Sequence, residues 1–122
     1  NINEATSRPT NIVTAGLGSK GAWVQVGVTT SVTRAFLVVR WGWNNSSTLA
    51  SADLFYDIGI GPSGSERILI PDLHHTTIGA NGACNPVLGP FPANLPVGTR
   101  IAARGQGSSG TVPGGIVVIG LA

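Results

Sequence analysis

Residues 53–73 read DLFYDIGIGPSGSERILIPDL, and this stretch decides the fold. In an extended chain, successive side chains point to opposite faces. Leu54, Tyr56, Ile58 and Ile60 then share one face, while Asp57 and Gly59 share the other. Gly61-Pro62-Ser63-Gly64-Ser65 is dense in turn formers, with two glycines able to take positive φ. Glu66 and Arg67 open a return strand, Ile68-Leu69-Ile70 continues it, and Pro71 is expected to stop it. The reading is a β-hairpin. Its register keeps Asp57 off the core face, because a slip of one residue would bury it.

The same alternation recurs on both sides. Asn11 to Thr14 reads as a short strand. Ala22 to Thr29 puts Val24, Val26 and Val28 on one face and Trp23, Gln25 and Gly27 on the other. Thr33 to Trp43 is expected to be the longest strand. It is apolar on both faces, which predicts a central strand packed on each side. Pro86 to Pro92 is proline-rich and suits a sheet edge or crossover. Arg100 to Arg104 alternates again, and Ile116 to Leu121 closes the chain as an apolar strand. His74 to Asn85 and Gly105 to Gly115 read as long loops, Asn44 to Ala52 as a polar one, and Leu95 to Thr99 as a turn. No ten-residue stretch keeps helical spacing. About eight strands separated by turn residues predict an all-β sandwich without significant helix, jelly-roll-like in its mixture of tight hairpins and long crossovers. Residues 1–10 are expected to form an extended arm, and 11–122 a single β-sandwich domain.

Only 10% of the 122 residues are charged, against 42% hydrophobic, well under the usual charged share of about 25%. A chain this poor in charge either carries a Ser/Thr/Asn/Gly surface or has part of its surface covered by other protein. The net charge is +2, and the arginines at 8, 34, 40, 67, 100 and 104 are scattered. Nucleic-acid binding needs several cations converging on phosphates, so none is expected. No run of 18 apolar residues marks a membrane helix, and no membrane partner is expected. The lone Cys84 forms no internal disulfide and reads as a plain thiol.

Candidate chemistry is thin. Gly16 to Gly21, GLGSKG, fits neither phosphate-binding fingerprint and precedes no helix. His74 and Asp72 would share a face of an extended chain, but two ligands make no metal site and the spacing offers no third. Asp53 and Asp57 lie four residues apart on one strand, too far for a carboxylate pair. Glu66 is expected to pair with a basic group. Trp23, Trp41, Trp43 and Tyr56 would form a sugar platform if exposed, though core packing is the simpler reading. The Asn-x-Ser sequons at Asn44 and Asn45 matter only in a eukaryotic secretory product. The expectation is a protein without enzymatic activity, catalytic residues, metal or cofactor. Its interaction residues are placed at Asn1, Ile2, Asn3 and Pro9 of the arm and at Trp23.

The run D-I-G-I-G-x-x-G-S-E-x-x-x-I-P at Asp57 to Pro71, followed by G-P-F-P-x-x-L-P-x-G-T-R-I-A-A-R at Gly89 to Arg104, resembles small structural proteins of tailed bacteriophages. The likeness covers the second half of the chain and rests on sheet and turn residues. It implies a β-sandwich component of the virion. The expected role is a capsid decoration or cement protein, homo-oligomeric and in contact with other virion proteins. The alternative is a tail-fibre or receptor-binding head domain that recognises a host-surface glycan.

Overall fold

The hairpin turn at residues 61–66 is the midpoint about which the strands pair. In this computed structural model, residues 10–16, 18–28, 32–42, 52–77, 87–108 and 113–121 are described. They form eight strands and no helix: β1 (Thr10–Val13), β2 (Val24–Val28), β3 (Arg34–Gly42), β4 (Ala52–Ile60), β5 (Arg67–Thr77), β6 (Val87–Leu95), β7 (Arg100–Gly107) and β8 (Pro113–Leu121). The antiparallel pairs nest outward from the turn, β4 with β5, β3 with β6, β2 with β7 and β1 with β8. Two four-stranded sheets result, ordered β1-β8-β3-β6 and β2-β7-β4-β5.

The turn has the backbone that its glycines allow. Gly61 and Gly64 hold φ of 121° and 83°. The Ser65 N–H donates to the Pro62 carbonyl at 3.0 Å, and the Glu66 carboxylate accepts the Gly64 N–H at 2.9 Å. Leu54, Tyr56 and Ile58 then project between the sheets as their alternation predicts, and are buried with Ile101 and Ala103 of β7. From the opposite sheet come Ile12, Leu37, Val39, Leu95, Ile116 and Val118. Gly105 makes room for Tyr56: a Cβ there would lie 2.7 Å from its ring. Burial pushes the Tyr56 phenol up from its ordinary value.

Three boundaries differ from the sequence reading. Pro71 does not end β5, which continues through His74 and His75 to Thr77. Tyr56 pairs with Leu73 and Ile58 with Ile70, so Asp57 alone faces both Pro71 and Asp72. That is a β-bulge on an edge strand, a place where a missing N–H costs little. Asp72 carries the strain, with φ of 47°. At the other glycine-rich stretch, Gly105 to Gly107 belong to β7 and Pro113 to Gly115 to β8. The longest strand is β5 with 11 residues, and β3 has 9. β3 is central in its sheet, as expected, but among the described residues only its inner face is packed. Leu37 and Val39 are buried, whereas Phe36 is 40% exposed on the other side. The proline-rich segment is β6, at the sheet edge, as its composition suggests.

Candidate functional site: two unlike outer faces

The inner faces of the two sheets form the core, so function falls to the outer faces. On the β2-β7-β4-β5 sheet, alternation opposite Leu54, Tyr56 and Ile58 sends Phe55, Asp57 and Gly59 outward. Register places Gln106, Arg104 and Ala102 beside them on β7, and His74 beside Phe55 on β5. This face is held by ion pairs. Asp57 accepts from Arg104 Nε at 2.9 Å and from Lys20 Nζ at 3.1 Å, and its Oδ1 takes the Asp72 N–H at 3.1 Å. Lys20 reaches Asp72 Oδ1 at 2.6 Å and the Phe55 carbonyl at 3.3 Å. Asp57 lies off the core face, as its register predicts, yet the charged lid leaves it 2% exposed. Burial pushes the Asp57 carboxyl up. The Asp72 amide, Arg104 and Lys20 outweigh it and hold the group below the ordinary carboxylate value.

Lys20 comes from the GLGSKG loop, which binds β7. The Gly105 carbonyl accepts the N–H groups of Ala15 and Gly21, at 3.1 and 2.8 Å. That loop serves the fold by delivering an ammonium to the bulge, a role that no local motif signals. Trp23 lies beside it, with the Arg104 guanidinium 4.5 Å above its ring centroid. A Cβ at Gly59 would come within 2.7 Å of its indole. Of the expected interaction residues, Trp23 is therefore half-buried and engaged within the chain. Asn1, Ile2, Asn3 and Pro9 lie outside the described residues, as do Trp43, Asn44, Asn45 and Cys84.

Two smaller clusters flank this one. Near the hairpin turn, Arg100 meets Glu66 at 2.7 Å, the basic partner expected for that carboxylate, and also the Gly61 carbonyl and Gln25. Burial pushes Glu66 up, but its own amide, Arg100 and the Gly64 N–H prevail and hold it low. At the other end, Asp53 accepts from Thr76 Oγ1 at 2.8 Å and contacts His74 Nε2 at 2.9 Å. Both contacts lower its pKa, that of Thr76 more. His74 stacks on Phe55 at 4.8 Å between centroids. His74 thus joins Asp53, and Asp72 joins Lys20, so the two do not form a ligand pair. Among the described residues no group of three His, Cys, Asp or Glu is placed to hold a metal.

The outer face of the β1-β8-β3-β6 sheet is different in kind. With Leu37 and Val39 turned inward, Phe36, Val38 and Arg40 point outward. Register sets Leu121, Ile119 and Val117 of β8 beside them, and Pro92 and Val87 of β6 beside Phe36 and Arg40. Val13 of β1 is 53% exposed, Val87 61% and Leu121 42%. Arg40 is the one charged side chain in these rows. All four acidic residues among the described residues (Asp53, Asp57, Glu66 and Asp72) sit on the other sheet or its hairpin turn. Sequence reading misses this face because it takes two-sided apolarity in β3 as a sign of packing on both sides.

The chain is thus an all-β, two-sheet sandwich with one ion-paired face and one apolar face. No family model, curated protein or solved structure matches it.

Proposed function

We propose that the protein is a structural component of a virion, a decoration or cement subunit that associates with other virion proteins through its sandwich. The observation that carries this reading is the apolar outer face built on β3 and β8. Large contiguous apolar patches on a domain surface mark places where other protein sits. The strand order supports it at the level of architecture. Pairs nested about one turn, in sheets ordered β1-β8-β3-β6 and β2-β7-β4-β5, read as an eight-stranded jelly roll, a layout that viral capsid domains share with lectins and cupins. A fold hosts many functions, so the order adds weight only beside the face. The likeness of Asp57 to Pro71 and Gly89 to Arg104 to tailed-bacteriophage structural proteins points the same way.

The test is direct. Phage particles induced from the source culture and purified on a density gradient are expected to contain this chain at a fixed ratio to the major shell protein. Its absence from every particle fraction overturns the reading.

A second reading, a receptor-binding head that recognises a glycan, draws on the ion-paired face. There Asp53, His74 and Thr76 surround Phe55 with exposed hydrogen-bonding groups. Trp23 weighs against it, because Arg104 occupies its ring. Glycan-array binding lost on His74→Ala at unchanged melting temperature would favour this reading over assembly.

A further inference from the structure

Resting on the assembly reading, we infer that the apolar face of the β1-β8-β3-β6 sheet is covered by the same face of a second copy of this chain, related by a two-fold axis that runs across the strands at the level of Val38 and Ile119. The argument begins at the edges. Sheets associate edge to edge or face to face. Here each edge is blunted: β5 by Pro71 and its bulge, β6 by Pro90 and Pro92, β1 by its length of 4 residues, and β2 by 5 residues and a bulge. Such edges resist strand addition, so a face is left for assembly. The face built on β3 and β8 presents Phe36, Leu121 and Val87 at 40%, 42% and 61% exposure, and a standard stable interface draws roughly 600–1,000 Å² from each partner.

The order of side chains on the face chooses the partner. Phe36, Val38 and Arg40 follow one another along β3, with Leu121, Ile119 and Val117 as their neighbours on β8. A two-fold axis across the strands through the middle row reverses the order in the second copy. Arg40 then comes over Phe36 of the second copy, Val117 over its Leu121, and Val87 over its Pro92. The guanidinium meets an aromatic face, a favourable contact for a cation leaving water. The two Arg40 side chains stay at opposite ends. No acidic residue is needed on the partner, and the face has none of its own among the described residues. An axis running along β3 would stack Arg40 on Arg40, and one running along the strands between β3 and β8 would bury it against aliphatic Val117. The natural twist between aligned sheets, about 30°, keeps these rows in approximate rather than strict opposition.

The experiment is sedimentation velocity on the full chain from micromolar to millimolar concentration, with three variants whose melting temperatures are measured alongside. The wild type is expected to show a concentration-dependent dimer. Phe36→Arg sets like charges against Arg40 and is expected to weaken the dimer tenfold or more. The double variant Phe36→Arg, Arg40→Glu replaces that repulsion by an ion pair and is expected to restore it. Ile68→Arg, on the exposed edge strand β5, is expected to change nothing. Three results overturn the pairing: a wild type that stays monomeric throughout, a dimer indifferent to Phe36→Arg, and loss without rescue in the double variant. If Phe36→Arg fails to fold, Val87→Arg serves in its place, since Val87 is exposed at an edge, and a dimer unchanged by it equally overturns the proposal. Each of these failures concerns the face alone. The virion reading fails separately, by absence of the chain from particles.

Discussion

Asp57 and Arg104 face each other across β4 and β7, with Oδ2 2.9 Å from Nε, and Asp57 is the more deeply buried of the two. Lys20 closes the carboxylate from the other side. Removing the anion leaves two cations facing each other over a β-bulge whose Asp72 amide loses its acceptor. Breaking a buried pair costs about 3–5 kcal/mol. The partly exposed cations reduce this, so Asp57→Ala is expected to cost about 2–3 kcal/mol. Urea denaturation checks it, and a loss below the error of the method would show that the cluster is solvated in practice.

The same carboxylate predicts acid sensitivity. The folded pKa values of Asp57 and Glu66 lie below their unfolded references of 3.8 and 4.5. The folded state therefore binds fewer protons than the unfolded one in this range. Their stabilisation is present above the unfolded values and is lost as pH falls through the folded ones. Stability is expected to drop as pH falls from about 5 towards 2, with a shallower drop in Asp57→Asn. Equal slopes for wild type and variant would remove Asp57 as a source.

His75 points to a second, higher window. It pairs with Leu54 on the inner side of β5. Burial lowers its pKa from 6.5, and the charge of His74 lowers it further. Protonation then favours the unfolded chain, so stability is expected to fall as pH drops through about 6.5 until the folded value is reached. His75→Gln is expected to flatten the stability profile in that interval, measured by denaturation at stepped pH. A profile already flat in the wild type contradicts the assignment.

Glycine substitutions separate strain from crowding. Gly64 has open space around its missing Cβ but holds φ of 83°. Gly64→Val is expected to cost about 1–2 kcal/mol through backbone strain alone, and Gly64→Asn less. Gly105 has an ordinary φ, but a Cβ there would press on the Tyr56 ring and on Thr14. Gly105→Ala is expected to cost about 1–3 kcal/mol by overpacking. Pairing Gly105→Ala with Tyr56→Leu should recover part of it. A strictly additive double variant would show that Tyr56 is not what the new methyl meets.

Alternation along residues 54–60 by itself determined which side chains enter the core, because the period of a strand is a local property. The positive-φ glycines of the turn are local too, and with Glu66 and Arg67 they determined a hairpin. The proline content of residues 86–92 narrowed that segment to a sheet edge or a crossover, and the sheet order makes it the edge strand β6. Tertiary structure decided the rest. A proline ends a strand only where the ladder needs an N–H at its position, and β5 lies at an edge with Pro71 in a bulge, so the strand runs on to Thr77. The polar run from His74 to Thr77 looks like loop because its partners, Asp53 and Phe55, are some twenty residues distant. Lys20 carries no local sign of its role, since the carboxylate it meets lies 37 residues away in sequence. An apolar row such as Phe36, Val38 and Ile119 does not specify from sequence whether its cover comes from the same chain. Hydrophobic patterning records that a face avoids water, and only the packing of the two sheets decides which face the chain buries itself and which it leaves exposed.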